Sequence, residues 1–267
     1  MPLYDRIVCL TEEPTEILYL LGEEDRVVGI SGFTVRPPRA RREKPKVSAF
    51  LSAKIDRILE LDPDLVLGFS DIQADIAAAL IRRGVEVHIF NHRSVAGILR
   101  TVKAVAALAG RPDGGERLAA GLEAGLDRVR ERAAALPRRP RVYFEEWYDP
   151  LISGIRWVSE LVEIAGGDDC FPEHRAGSLA RDRIIADPAE VVRRAPDVII
   201  GSWCGRKFRP ERVAAREGWA AVPAVAEGHV HEVKSALILQ PGPAALTDGV
   251  EEIQRIVLNW ANASPRR

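Results

Sequence analysis

The apolar positions of this chain form short unbroken runs that alternate with stretches of helical spacing, and this predicts α/β layers around mostly parallel sheets. Ile7 to Leu10 reads as a strand, followed by a helix over Thr15 to Leu21 with Thr15 as its cap and Gly22 as its stop. Asp25 to Ile30 reads as a second strand, Ala53 to Leu61 as a helix, and Leu65 to Leu67 as a strand entered through the turn Asp62-Pro63-Asp64. A helix over Ile76 to Arg83 and a strand over Val85 to Phe90 come next. Strands that are apolar on both faces need helices on each side.

Ser94 to Ala109 predicts another helix, and Arg111-Pro112-Asp113-Gly114-Gly115 a turn. Glu116 to Leu136 then carries Leu118, Leu122, Leu126, Val129, Ala133 and Leu136 as one narrow apolar stripe, the pattern of a long strut of about 30 Å. Pro137 and Pro140 end it, and a new strand starts at Val142-Tyr143-Phe144. The second half repeats the first: Ile58-Leu59 with Pro63-Asp64-Leu65-Val66 and Gly68 returns 133 residues later as Val191-Val192 with Pro196-Asp197-Val198-Ile199 and Gly201. The expected organisation is an N-terminal α/β lobe over 1–113, a linking helix over 114–137 and a C-terminal α/β lobe over 138–267.

Composition narrows the function. With 38 Lys and Arg against 39 Asp and Glu, the 267 residues lack the basic field that non-specific nucleic-acid binding requires. No apolar run is long enough to span a bilayer. Cys9, Cys170 and Cys204 are odd in number and widely spaced, which fits a reducing compartment better than a disulfide framework. The residues ahead of Ile7 lack a basic region and an apolar signal core, so a cytoplasmic location is expected. The alternative is a periplasmic or lipid-anchored protein whose export signal has been removed.

In open α/β sheets, ligands bind beyond the carboxyl ends of the strands. Those positions are Thr11, Glu12, Glu13, Phe33, Phe50, Phe69, Ser70, Asn91 and His92 in the first lobe. In the second they are Glu145, Glu146, Trp147, Tyr148, Trp157, Trp203, Cys204, Arg206, Lys234 and Ser235. Only 6% of the chain is aromatic, so this concentration of rings points to a large, flat, partly apolar ligand. Trp219 and Trp260 read as core. No dinucleotide, phosphate-loop, nucleophile-elbow or zinc signature occurs, and neither His229 with His231 nor Glu145 with Glu146 makes a convincing metal or acid–base pair. Arg36, Arg39, Arg41, Arg42 and Lys44 read as a solvated basic loop.

Several segments together resemble one family. They are Arg6 to Leu10 with Thr15-Glu16-Ile17-Leu18, Ile55 to Leu67, Gly84-Val85-Glu86-Val87, the strut, Gly166-Gly167, Ala195 to Ile200, Trp219 to Val225, and Gln240-Pro241-Gly242-Pro243 with Asp248-Gly249. The set is similar to the iron-siderophore and vitamin B12 class of ABC-transporter substrate-binding proteins, most like the cobalamin-binding branch. That resemblance implies two α/β lobes joined by a long helix, with the ligand in the cleft between them. It places Phe69 where the cobalamin binder has a corrin-contacting tryptophan, and Phe33 where it has a tyrosine. Arg175, Arg181 and Arg206 are the residues that could serve an anionic iron chelate. The acids that meet a permease fall at Asp75 and near Ala189, with Glu190 the next candidate.

The resulting expectation is a non-catalytic monomer that holds a corrinoid such as cobalamin as ligand, not as catalytic cofactor, without coupling to transport. Phe33, Phe50, Phe69, Trp147, Tyr148 and Trp203 would supply stacking area, and Ser70, Asn91, His92, Glu146 and Arg206 hydrogen bonds, with His92 also considered as an axial cobalt ligand. The alternatives are a transport receptor for B12, ferric siderophore or haem, and an enzyme that acts on a corrinoid through Glu145 or Glu146.

Overall fold

The computed structural model describes residues 3–263. The chain forms two compact units, one made of the chain up to His92 with Ala96–Glu123 and Gln240–Pro243, the other of Arg93–Val95, Ala124–Leu239 and the chain from Ala244 onward. In the first, β1 (Ile7–Cys9), β2 (Val27–Ser31), β3 (Lys46–Ser48), β4 (Leu65–Phe69) and β5 (Val87–Phe90) form one parallel sheet in the order β3-β2-β1-β4-β5. The chain moves outward from β1 in one direction and then restarts at β4 in the other. This topological switch leaves the carboxyl ends of β1 and β4 as the natural ligand position of the unit.

The second unit holds β6 (Arg141–Tyr148), β7 (Leu151–Ser153), β8 (Asp168–Asp169), β9 (Val198–Gly201) and β10 (Val230–Glu232). Their order is β10-β9-β6-β7 with β8 beside the start of β6, and only β7 runs antiparallel. The repeat seen in the sequence has a structural counterpart. Ile7 pairs with Leu65 as Val142 pairs with Val198. In both, the aspartate after proline accepts the backbone N–H of the arginine before the central strand: Asp64 from Arg6 at 2.9 Å and Asp197 from Arg141 at 2.8 Å. A Pro-Asp pair thus registers two parallel strands twice in one chain.

Several boundaries move. Helix α1 (Glu12–Leu20) starts a turn earlier than expected, with Thr11 and not Thr15 as its flanking residue. Its first turn holds Glu12, Glu13 and Pro14; the acids favour the positive helix end, and proline there needs no N–H acceptor. Helices α2 (Ile55–Leu59), α3 (Ala74–Ile81) and α4 (Val95–Leu108) follow. The long helix α5 runs over Pro112–Ala134, so the segment expected as a turn is its first turn. Gly115 is required there because a Cβ would lie 2.4 Å from Ala106 Cβ, where α5 crosses α4. Trp157 is not at a strand end; it is buried in α6 (Arg156–Ile164) and donates its indole N–H to the Ile238 carbonyl at 2.9 Å. Trp219 and Trp260 are buried, as core residues should be.

The basic loop is more than a solvated run. Arg36 pairs with Glu16 at 2.8 Å, Arg39 pairs with Glu24 and lies over the Tyr19 ring, and Arg41 donates to the carbonyls of Gly32 and Thr34.

Candidate functional site

The carboxyl end of the second sheet gathers four of the sequence-nominated residues. Tyr148 ends β6, and its ring lies 5.0 Å from Trp147 and 4.6 Å from Trp203. Trp203 in turn meets Phe208 edge-on at 4.9 Å. Arg206 donates to the Tyr148 hydroxyl at 2.8 Å and stands 5.7 Å from the Trp147 ring centre and 5.8 Å from that of Tyr148. Trp147 and Tyr148 are half-buried and Arg206 is exposed, so rings and guanidinium form an open aromatic platform. Phe208 fits because Gly201 ends β9: a Cβ there would stand 1.8 Å from the Phe208 ring.

Beneath the platform, Glu145 is fully buried and is held by four donors. Arg216 grips both its oxygens at 2.5 and 2.9 Å, the Trp203 indole N–H donates at 2.9 Å, and the Tyr143 hydroxyl at 3.2 Å. A carboxylate whose lone pairs are satisfied this way anchors structure. Its neighbour Glu146 is gripped by the buried Arg183 at 2.7 and 3.0 Å. Alternation along β6 separates the two acids, so each acquired its own arginine. The sequence carried no sign of the buried Arg183 or the half-buried Arg216, because arginines in polar loops all look like surface ones. Trp203 is itself 3% exposed, so its indole N–H and most of its surface belong to the interior.

The carboxyl end of the first sheet has different chemistry. Of the eight large apolar side chains exposed among the described residues, Phe33, Val35, Leu51 and Ile72 lie just past β2, β3 and β4, with Leu51 72% and Phe33 53% exposed. Phe50 is half-buried, and its carbonyl accepts from the Gln73 amide. Phe69 is buried within β4 and meets the His92 ring edge-on at 5.2 Å. Ser70 holds a left-handed φ of 73°, a strained conformation for a side-chain-bearing residue, at the switch point itself. Asn91 is exposed and lines a cavity of about 280 Å³ with His88, His92 and Arg100.

His92 is buried with both ring nitrogens engaged: Nε2–H donates to the Pro241 carbonyl at 3.2 Å, and Nδ1 accepts from the Thr101 hydroxyl at 2.9 Å. With both ring nitrogens engaged in these bonds, the structure supports a role for His92 in holding Pro241 in this unit. Behind the apolar rim, Glu12 and Glu13 are buried. Desolvation by burial holds Glu12 up at about 8 and Glu13 up at about 7, with each partly relieved by donors, the Val35 N–H for Glu12 and the Thr11 hydroxyl for Glu13. Cys9 and Cys170 are buried, each thiol pushed up to about 12 by burial, while Cys204 is exposed. Among the described residues no cluster of His, Cys, Asp and Glu has the makings of a metal site.

Two α/β units built on mostly parallel sheets and joined through a long helix define a class of two-lobed binding protein. The profile of the periplasmic binding protein family matches residues 7–237, and the chain belongs to that family. The vitamin B12-binding protein of Vibrio campbellii is 25% identical over 244 residues, which span 88% of this chain and 83% of that protein. The periplasmic haem-binding protein RhuT from Roseiflexus sp. RS-1 is 27% identical with a TM-score of 0.78, covering 95% of this chain and 99% of that one. A possible iron-binding protein from Staphylococcus epidermidis has a TM-score of 0.82 over 95% of this chain and 98% of its own, at 20% identity. These relatives bear out the family expected from the sequence and the α/β class with mostly parallel sheets.

Proposed function

We propose that this chain is the substrate-binding component of an ABC transporter and that its ligand is a corrinoid of the cobalamin kind. The relatives favour coupling to transport over the stand-alone holding role expected from the sequence. The observation that carries the ligand reading is the open platform of Trp147 and Tyr148, backed by the buried Trp203 and with Arg206 on its edge. Flat, half-buried rings suit a macrocycle. Arg183 holds both Glu146 oxygens, which opposes a role for Glu146 as an acceptor for ligand amides.

Haem is the second reading, favoured by the likeness to the Roseiflexus protein. Purified protein mixed with cyanocobalamin and passed through gel filtration should carry the red absorbance at micromolar concentration. Colour that fails to co-elute, while haemin does, would replace the corrinoid with haem. For the permease, Asp75 is exposed in the first turn of α3 and is the better candidate. Glu190 is gripped by Arg193 at 2.6 Å and Arg194 at 2.8 Å, which opposes its offering a carboxylate to a partner.

A further inference from the structure

Beside the half-buried rings of the second unit stands a guanidinium with no carboxylate partner among the described residues. Among the described residues, no carboxylate lies within ion-pair reach of Arg206, although most arginines of this chain are paired. Its one hydrogen bond goes to a neutral phenol, the Tyr148 hydroxyl, and its flat face lies toward the rings of Trp147 and Tyr148. The contact with Tyr148 fixes the guanidinium while leaving further N–H donors for something else. Nearby acids are committed elsewhere: Glu145 to Arg216 and Glu146 to Arg183.

A ligand matched to this platform has a flat apolar body and an anionic group beside it.

Resting on the corrinoid reading, we infer that Arg206 is a specificity-determining residue that pairs with one phosphodiester on the ligand and thereby selects complete corrinoids over those without the nucleotide arm. The Trp147 and Tyr148 rings hold the guanidinium level with the macrocycle's edge, and a bidentate N–H pair meets two phosphate oxygens. A charge-assisted contact of this kind corresponds to a preference of about 10- to 100-fold.

The test uses cyanocobalamin and dicyanocobinamide, which share the corrin ring while only the first has a phosphodiester, titrated into the full chain by calorimetry or quenching of tryptophan fluorescence. The wild type should bind cyanocobalamin at least tenfold more tightly, with a preference that shrinks as salt rises. Arg206→Gln should weaken cyanocobalamin to the level of cobinamide and leave cobinamide unchanged, and Arg206→Lys should keep part of the preference. Lys207→Gln, which removes the adjacent exposed charge, should change neither. Equal weakening of both probes by Arg206→Gln, or no change in either, overturns the inference while the corrinoid reading stands. Wild-type protein that binds neither probe overturns the corrinoid reading and the inference with it.

Discussion

Past β2, β3 and β4 the large apolar side chains at the surface are Phe33, Val35, Leu51 and Ile72, whereas at the ends of β6 and β9 the rings of Trp147, Tyr148 and Trp203 are tied through polar atoms to Glu145, Arg206 and the Asp149 carbonyl. The same strand arrangement therefore presents two kinds of surface. An aliphatic rim binds by area alone and tolerates many ligand shapes. A keyed platform has fixed ring positions and directional donors, so it can discriminate among ligands of similar area. The difference extends beneath the surface: the acids behind the rim, Glu12 and Glu13, have no arginine at hydrogen-bond distance, while each acid behind the platform has its own.

The largest test of this contrast is Arg216→Met. It leaves the Glu145 carboxylate buried without a counter-charge and should cost about 3–5 kcal/mol in urea unfolding. Adding Glu145→Gln should recover part of that loss, because the buried charge is gone. Next comes pH. Glu12 and Glu13 have folded values of about 8 and about 7, raised from an ordinary 4.5, so the folded state binds more protons than the unfolded one across that interval. Their contribution to stability is fully present below about pH 4.5 and is lost as pH rises toward 8, which unfolding midpoints measured from pH 5 to 8 will show as a decline. Glu12→Gln with Glu13→Gln should flatten that slope. If the double variant keeps the same decline, the acids are not its source.

Gly201→Ala sharpens the platform side. The added methyl would displace the Phe208 ring, with an expected cost of about 1–3 kcal/mol and weaker ligand binding, since Phe208 supports Trp203. The smallest effects on stability come from the half-buried Trp147 and the exposed Phe33. Trp147→Ala and Phe33→Ala should each leave the melting temperature nearly unchanged. In calorimetry with cyanocobalamin, Trp147→Ala should weaken binding by about 1–2 kcal/mol and Phe33→Ala by about half as much. A larger loss at Phe33 than at Trp147 would reverse the comparison drawn between the two surfaces.

Much of this was legible without coordinates, for stated reasons. The strands at Ile7, Leu65, Val142 and Val198 were readable because a parallel sheet buried on both faces leaves unbroken apolar runs. Strand ends then nominated Trp147, Tyr148, Trp203 and Arg206, and these do come together. The start of α5 was misread because Pro112 and Gly114-Gly115 carry the local signature of a turn, and only the close crossing against Ala106 explains the glycines. His92 looked available as a ligand because its partners, Thr101 and Pro241, lie 9 and 149 residues away.

The sequence by itself determined the layered α/β class, the duplicated Pro-Asp strand register and the aromatic character of the strand ends, since each of these follows from local periodicity or from residues a few positions apart. Tertiary structure alone decided which polar groups were already spoken for: that Glu145 belongs to Arg216, Glu146 to Arg183 and His92 to Pro241, and that Arg206 has no acid within reach among the described residues. Those pairings join segments as much as 149 residues apart, and burial, which makes an unpaired charge costly, is a property of the assembled fold and not of any stretch of chain.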